Sequence, residues 1–479
     1  MLRRKRQTKP AVPSEAAIRQ ATATFELFAA KTCLMLISFR VRNFRTFREK
    51  VEWSLIASAD KTREEDNVVE LPGFGLRLLK SAVVYGANAS GKSKLVEALD
   101  YMKELVFGSS EGGQVGKPTG VEPFKLNPET IQSPSEFEIQ FIHGNELYRY
   151  GFEVSAMQIE AEWLFLRTEK RMRHKSEMEL FYRTGQDIVF NSRQFGGIVN
   201  ELVKSAAIRE NALLLSVAAQ FNQPRAKAIL EWYIHVVTIL KDLDDAVEKA
   251  LSFLLLRQPA FKQSLLNFLS NADLDVEDVL ESEQPKFSFQ QEKEPIPLGA
   301  RLRQWSSQEH ASVKILHRAY TNARELAKPI ELSLLQDEST GTQRMVALAG
   351  PVLDTIEYGR ILIIDELDAR LHPNLVAKIV QLFNSKTTNP NNAQLLFNTH
   401  DTNLLTSGNF RRDQIWFTEK NRYGEATLYS LADFKTDTVR KGDNLEANYV
   451  RGKYGAVPYL GNFNALPKSD TAAETEPAQ

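Results

Sequence analysis

The alternation of hydrophobic and polar residues predicts that the first third of the chain is built mainly of strands. From Met35 onward, Leu36, Phe39, Val41 and Phe44 stand among polar residues in near-alternation, as in a half-buried strand. Similar alternation predicts further strands at residues 51–55, 137–141, 147–154 and 163–167. The first two strands would pair as a hairpin and the last three as a meander.

The middle of the chain changes to a helical period. Between about residues 199 and 324, apolar residues recur every three or four positions. This spacing predicts helices at residues 212–219, 228–240 and 246–256. Dense charge over residues 277–294 predicts an exposed connection. No heptad pattern lasts for four repeats, so a long coiled coil is not expected.

After residue 330, short apolar strands alternate with helices again. Continuous apolar runs predict buried strands at residues 361–364 and 395–398. Helical spacing predicts helices at residues 345–356 and 375–383. This return to strand–helix alternation indicates an α/β domain that is interrupted by the helical segment.

These changes of pattern divide the chain into five parts. The two halves of the α/β domain would be residues 35–195 and 326–465, with a helical insert at residues 196–325 between them. Residues 1–34 would form an N-terminal extension, and Met35 is a second candidate for the functional start. Residues 466–479 are rich in Ala, Thr, Glu and Pro, which predicts a disordered tail.

Composition narrows the cellular setting more than the function. The 479 residues contain 60 Lys and Arg against 61 Asp and Glu, so the net charge of -1 gives no general attraction to DNA or to membranes. DNA contact through a local basic patch stays possible. A single cysteine, Cys33, fits a reducing cytoplasm, and no apolar run is long enough to span a bilayer. We therefore expect a cytoplasmic protein.

The segment between an apolar strand at residues 82–85 and a helix at residues 92–107 carries the clearest chemical signal. Its loop matches the phosphate-binding pattern GxxxxGK[ST]. The matching residues are Gly86, Ala87, Asn88, Ala89, Ser90, Gly91, Lys92 and Ser93. Loop N–H groups and the helix N-terminus would bind phosphate, Lys92 would neutralise the β and γ phosphates, and Ser93 would bind Mg²⁺. The motif predicts binding of ATP or GTP with Mg²⁺.

Two acidic residues follow the strand predicted at residues 361–364. Asp365 and Glu366 would reach the ligand crevice, because the carboxyl ends of parallel strands face it. Asp365 would complete the Mg²⁺ shell, and Glu366 would orient or deprotonate the attacking water. Strands often end in acidic residues, so this pattern alone is a weak signal. It indicates a catalytic site only in combination with the phosphate loop.

Two further features have both a structural and a functional interpretation. His400 follows the next apolar strand, where it would lie beside Glu366 near the γ-phosphate, although a lone histidine there is usually structural. Ser339 and Gly341 precede a helix that would begin at Gln343, and they form either an anion site or a simple cap and turn. Their position just before the Asp-Glu strand favours the functional interpretation.

In this order, the motifs resemble the heads of ABC-type ATPases, and the inserted region resembles the RecF and SMC group. The 273 positions from Lys92 to Asp365 argue against AAA+ motors and small GTPases, in which these motifs lie closer. Other stretches resemble ATPases of bacterial anti-phage defence, namely AbiLi-type proteins, the AriA ATPases of PARIS systems and OLD-like heads. These stretches are residues 36–47, 86–93, 163–165, 214–221, 365–373, 411–417 and 448–458. The resemblance covers roughly residues 35–462.

The resemblance implies an α/β fold, specifically an ABC-type P-loop ATPase head with a helical insert. Its ATP and Mg²⁺ site residues carry over to Lys92, Ser93, Asp365, Glu366 and His400. Hydrolysis of ATP to ADP and phosphate is the implied reaction.

Other positions match the family less closely. Ser339 and Gly341 match the signature sequence, although Thr340 replaces its first glycine, and His372 stands where many ABC heads carry an aspartate. Arg45 and Thr46 would approach the nucleotide. The Q-loop glutamine stays unassigned among Gln114, Gln132 and Gln140.

The resemblance also implies partners. In ABC heads the signature serine of one subunit completes the ATP site of another, so ATP-dependent pairing within a homo-oligomer is expected. In PARIS systems, the ATPase holds a separate toprim-type effector until a phage trigger protein is sensed. Only 79 residues follow His400, so we expect any nuclease to be a separate protein rather than a fused toprim domain.

Three functions are therefore compatible with the sequence. The first is a defence ATPase that restrains a toxic partner. The second is a DNA repair or chromosome-associated ATPase, which predicts turnover stimulated by DNA and salt-sensitive DNA binding. The third is an ATP-gated scaffold with little turnover, which predicts a tightly held nucleotide.

Overall fold

The computed structural model describes residues 33–110, 116–168, 177–241, 259–272, 274–281, 313–406, 408–435 and 442–459. The predicted helix at residues 246–256, the predicted tail and nearly all of the predicted N-terminal extension lie outside these ranges. So does most of the predicted connection at residues 277–294. Among the described residues, no helix is both long and apolar enough to cross a bilayer.

Strands and helices are numbered separately along the described chain. The strands are β1 (Leu34–Arg42), β2 (Val51–Ser54), β3 (Val68–Leu71), β4 (Leu76–Leu79), β5 (Ser81–Gly86), β6 (Ser135–His143), β7 (Glu146–Val154), β8 (Ile159–Thr168), β9 (Met178–Thr184), β10 (Asp187–Phe190), β11 (Val237–Leu240), β12 (Asp278–Glu281), β13 (Val313–His317), β14 (Ile330–Ser333), β15 (Ile361–Ile364), β16 (Gln394–Asn398), β17 (Ile415–Lys420) and β18 (Ala426–Ser430). The helices are α1 (Glu64–Asn67), α2 (Lys92–Gly108), α3 (Pro128–Ile131), α4 (Ile198–Lys204), α5 (Leu214–Gln220), α6 (Pro224–His235), α7 (Pro259–Asn271), α8 (Thr340–Tyr358), α9 (Pro373–Asn384) and α10 (Leu445–Val450).

Two large sheets organise the fold. The antiparallel sheet has the order β10-β9-β8-β7-β6-β1-β2, and it contains the hairpin and the meander that alternation predicted. The central sheet has the order β11-β15-β16-β5-β17-β18, in which only β18 runs antiparallel to its neighbour. The phosphate-loop strand β5 therefore lies near the middle of a parallel sheet.

The central sheet is buried on both faces, which explains the continuous apolar runs of its strands. In β5, Ala82 and Val84 face a core shared with α2, α5, α6 and the antiparallel sheet. Val83 and Tyr85 face a second core shared with α7, α8 and α9. Because successive side chains point to opposite faces, the inner strands β5, β15 and β16 carry apolar residues at most positions.

The two sheets are joined by a buried amide at the start of β16. The Gln394 side chain accepts a hydrogen bond from Leu36 N–H at 2.7 Å and donates to the carbonyls of Leu36 and Leu79 at 3.1 and 3.0 Å. Gln394 is fully buried. Strand β1 of the antiparallel sheet is thereby held against the central sheet.

The segment predicted as a helical insert is only partly helical, and the predicted helix at residues 228–240 is wrong at its C-terminal end. Helix α6 ends at His235, and β11 then pairs in parallel with β15. Residues 236–239 are all β-branched, which favours an extended backbone. Farther along, β13 pairs with β12 on one side and with β14 on the other, in a small antiparallel sheet beside α8.

Candidate functional site

The predicted site residues meet at one edge of the central sheet, because parallel strands place their carboxyl ends together. The phosphate loop follows β5, the two acidic residues follow β15, and His400 follows β16. The register aligns Ile364 with Phe397 and Asn398 with Val84. Three separate parts of the sequence are therefore neighbours in space.

The phosphate loop forms a tight turn between β5 and α2. Ala89 and Gly91 have positive φ values of 60° and 122°, so successive N–H groups can point into one concavity. A Cβ on Gly86 would lie 2.5 Å from both the Ser90 hydroxyl and the Thr418 carbonyl. Only glycine fits at this first position, as the motif requires.

Lys92 opens α2 and is 6% exposed. Its ammonium donates to the carbonyls of Gly86 and Ala87, at 2.8 and 3.1 Å, so the side chain lies across the loop. Burial lowers the pKa of Lys92, while the carboxylates of Glu366, Asp365 and Asp368 oppose that shift. A buried cation held across an open loop is suited to bind phosphate oxygens.

Asp365 contacts the phosphate loop directly through Ser93. Burial raises the pKa of Asp365, hydrogen bonds from the Asn398 and Ser93 side chains lower it, and repulsion from Glu366 raises it again. Among the described residues, no cluster of three His, Cys, Asp or Glu side chains could hold a metal ion. A carboxylate with one hydroxyl still fits Mg²⁺, which often takes few protein ligands and completes its shell with phosphate oxygens and water.

Asn398 is a site residue that the sequence interpretation missed. It donates to Asp365 Oδ1, and its own Oδ1 accepts the Glu366 N–H at 2.8 Å. A polar residue at the end of an otherwise apolar strand, two positions before His400, is the signal that could have identified it.

His400 lies at the predicted edge, with its backbone held by a third acidic residue. Its N–H donates to both carboxylate oxygens of Asp368, at 3.2 and 3.3 Å. The His400 residue is exposed, so the ring is available to a ligand or to another chain. Asp368 thus couples the loop after β15 to the loop after β16.

Ser339 and Gly341 lie at the start of α8, apart from the phosphate loop of the same chain. Ser339 is the N-cap, and its Oγ accepts the Thr342 N–H at 3.1 Å, so the capping contact is present, while a role for Ser339 in an anion site stays a prediction. A Cβ on Gly341 would lie 3.2 Å from the Arg370 carbonyl, in the loop that follows the acidic pair. The helix begins at Thr340, three residues earlier than predicted.

The two residues predicted to approach the nucleotide differ in their surroundings. Arg45 pairs with Glu122 at 2.6 Å and with Glu97 at 3.5 Å, so its charge is already compensated. Thr46 lies against the loop: a Cβ on Gly91 would be 3.2 Å from its Oγ1. That hydroxyl is buried and has no hydrogen-bond partner among the described residues.

Two of the three candidate Q-loop glutamines belong to elements other than those that form this edge. Gln132 caps α3, Gln140 lies within β6, and Gln114 is outside the described residues. A cavity of about 360 Å³ beside Asp365 is lined by acidic residues, Arg45 and Lys241, and no described glutamine lines it. Lys241 directly follows β11 and contacts Asp100 of α2.

Two of the family-like stretches are structural. Glu162, just before the 163–165 stretch, is fully buried and accepts the N–H groups of Leu214 and Leu215 at 2.6 and 3.0 Å, which caps α5. In the 411–417 stretch, buried Arg411 pairs with Asp413 at 2.7 Å. These contacts give the 214–221 and 411–417 stretches a role in holding the fold together.

The stretch at residues 448–458 reaches the phosphate loop. Burial raises the pKa of Tyr449 to about 12, and a hydrogen bond with the Gly86 backbone works in the opposite direction. The Tyr449 ring packs 5.6 Å from Tyr85 and 5.4 Å from Phe417. Glu446 of the same helix accepts the Thr402 hydroxyl at 2.9 Å, next to the His400 loop.

Comparison with known proteins gives a family match and a structural neighbour. Residues 81–406 match the family described as "AAA domain, putative AbiEii toxin, Type IV TA system". The SMC head domain from Thermotoga maritima is 11% identical, with a TM-score of 0.35 over 82% of this chain and 98% of that chain. No curated protein sequence matches.

Proposed function

Because the chain belongs to the family described as "AAA domain, putative AbiEii toxin, Type IV TA system", we propose that it binds ATP with Mg²⁺ and hydrolyses it. The family match and the parallel sheet with its phosphate loop confirm the expected fold class, an α/β P-loop ATPase head of the ABC type. The observation that carries the proposal is the parallel register of β15, β16 and β5, which brings the Asp365 carboxylate next to the Ser93 hydroxyl at the start of α2. It brings together the hydroxyl and carboxylate that such ATPases offer to Mg²⁺.

The residues have separate roles in the proposed reaction. The N–H groups of the phosphate loop and the α2 N-terminus bind the β and γ phosphates, and the Lys92 ammonium neutralises their charge. Glu366 orients water for addition to the γ-phosphorus and accepts its proton, while the bond from the γ-phosphorus to the bridging oxygen breaks. Ser93 and Asp365 hold Mg²⁺, which when bound withdraws charge from the phosphate oxygens.

Substitutions of Lys92 and Glu366 separate binding from turnover. Lys92→Ala should lose ATP binding, because the buried cation at the phosphates is gone. Glu366→Gln should keep ATP binding and lose about 10²–10⁴-fold in kcat, because only proton transfer and water orientation are removed. Fluorescent-nucleotide titration and phosphate release measure the two effects. Normal turnover of Glu366→Gln would refute the role of Glu366 as base.

We also propose a biological role, as the sensor and scaffold subunit of an anti-phage, abortive-infection system. The toxin–antitoxin association of the family supports a link to defence, and the AbiLi-like, AriA-like and OLD-like stretches support it further. In this role, a homo-oligomer pairs its heads around ATP and holds a separate effector, such as a toprim-type nuclease. A phage trigger protein then releases the effector.

The proposed role is tested by phage challenge of cells that carry the gene with its neighbouring genes. Wild type should protect, whereas Lys92→Ala should not, and native mass spectrometry should find a neighbouring gene product bound. Equal protection by both proteins would refute an ATP-dependent defence role. ATPase activity that rises with DNA would instead favour the repair or chromosome-associated function.

A further inference from the structure

Asn398 is the last residue of β16, and its side chain contacts both acidic residues at the end of the neighbouring strand. Its Nδ2 donates to Asp365 Oδ1, and its Oδ1 accepts the backbone N–H of Glu366 at 2.8 Å. The residue is 1% exposed, so water does not compete for either bond. The NH₂ group and the oxygen of one side-chain amide thus bind two consecutive residues of the site.

Glu366 depends on such a contact because its backbone is strained. Its φ of 53° lies in the left-handed region, which a residue with a side chain adopts only when its surroundings hold it there. The Glu366 N–H is bound by the Asn398 side chain, and the Leu367 N–H is bound by the Asn398 carbonyl at 3.2 Å. Both bonds come from the same residue of β16 and hold the turn in which the chain leaves β15.

An amide is the side chain that suits both contacts. Asp365, as a carboxylate, needs a donor, whereas a backbone N–H needs an acceptor. An aspartate at position 398 would keep the acceptor and lose the donor, and an alanine would lose both. The two contacts can therefore be removed separately.

We propose that Asn398 is a positioning residue that sets the orientation of Asp365 and Glu366 together. The inference rests on the proposed ATPase function, since those two residues would bind Mg²⁺ and direct water. Asn398 itself would contact neither the Mg²⁺ ion nor the attacking water. Its effect on the reaction passes through the direction of one carboxylate and the backbone turn of the next residue.

The test compares Asn398→Ala, Asn398→Asp and wild type. Asn398→Ala should lower kcat about 10–100-fold, as expected for loss of a group that orients a metal ligand, with the KM for ATP within about twofold. KM should hold because the phosphate loop keeps its contacts. Amide hydrogen exchange at Glu366 in the nucleotide-free protein should be faster in Asn398→Ala. It should stay slow in Asn398→Asp, although that variant also loses turnover.

Asn389→Ala is the matched control. Asn389 is also 1% exposed, precedes the other end of β16, and makes three hydrogen bonds, to the Phe383 carbonyl at 2.7 Å and to the Ala393 carbonyl and N–H at 2.9 and 2.8 Å. Its removal should lower the melting temperature and leave kcat unchanged. A kcat that falls equally in Asn389→Ala and Asn398→Ala would show a general loss of stability and overturn the proposal.

The remaining outcomes also decide the proposal. Wild-type turnover by Asn398→Ala, or unchanged exchange at Glu366, would overturn it. If wild type itself shows no turnover, the ATPase function fails, and the exchange measurement still decides whether Asn398 holds the Glu366 turn.

Discussion

Two buried threonine hydroxyls, those of Thr46 and Thr355, have no hydrogen-bond partner among the described residues. A buried hydroxyl without a partner costs free energy, so each needs a reason. Thr355 lies within α8, away from the phosphate loop. Thr46 lies beside Gly91 of the loop. At the scale of single residues, Thr46 is therefore the hydroxyl that a bound nucleotide could satisfy.

Because only Thr46 lies beside the phosphate loop, replacement by valine should change ATP affinity at Thr46 and not at Thr355. Thr46→Val removes an unpaired hydroxyl, so the melting temperature without nucleotide should not fall, whereas ATP affinity should drop about tenfold through loss of a bond to a charged ligand. Thr355→Val should match it in stability and bind ATP as wild type does. Calorimetry and nucleotide titration check both variants. Unchanged affinity in Thr46→Val would remove Thr46 from the site.

Among secondary-structure elements, α10 has the least expected position. It comes from the last described part of the chain, and yet it packs beneath the phosphate loop through Tyr449 and contacts the loop after β16 through Glu446. The phosphate loop and the loop after β16 are thus both supported by α10. Local sequence pattern could not reveal this, because the contact joins residues that are 363 positions apart, Gly86 and Tyr449.

Tyr449→Phe tests this support while it keeps the aromatic packing. The hydroxyl also donates to the buried Ala456 carbonyl at 3.2 Å, so its loss should lower the melting temperature. Loss of its contact with the Gly86 backbone should raise the KM for ATP about fivefold, equivalent to about 1 kcal/mol for one hydrogen bond. Tyr454→Phe is the control, because its hydroxyl accepts from Asn448 at 3.1 Å within the same aromatic cluster. Steady-state kinetics should separate the two, and an equal rise in KM would indicate general loosening of the cluster.

At the scale of the whole molecule, the central sheet collects the phosphate loop, the acidic pair and His400, whereas Ser339 lies elsewhere. Ser339 is exposed, and among the described residues its hydrogen bonds are local, to the Thr342 N–H and hydroxyl. If the chain pairs its heads as proposed, one head would hold the elements of one ATP site, and the exposed Ser339 would contact the site of another copy.

Ser339→Arg should prevent ATP-dependent pairing of heads, because a long charged side chain would stand where a second copy is proposed to contact phosphate. Analytical ultracentrifugation with and without ATP, in the Glu366→Gln background, measures the effect. Thr387→Arg provides the control at an exposed position before the opposite end of β16. An unchanged ATP-bound oligomer in Ser339→Arg would count against shared sites.

Local sequence by itself determined the buried strands around the phosphate loop and the main chemical groups of the proposed site. The apolar runs of β5, β15 and β16 and the phosphate-loop spacing identified a nucleotide site, because burial on both faces and close backbone approach leave few residue types possible. Only the tertiary structure decided that residues 237–240 join the central sheet, that Asn398 binds both acidic residues, and that Tyr449 supports the loop. These contacts join distant segments, and short apolar runs or single polar residues do not specify their partners.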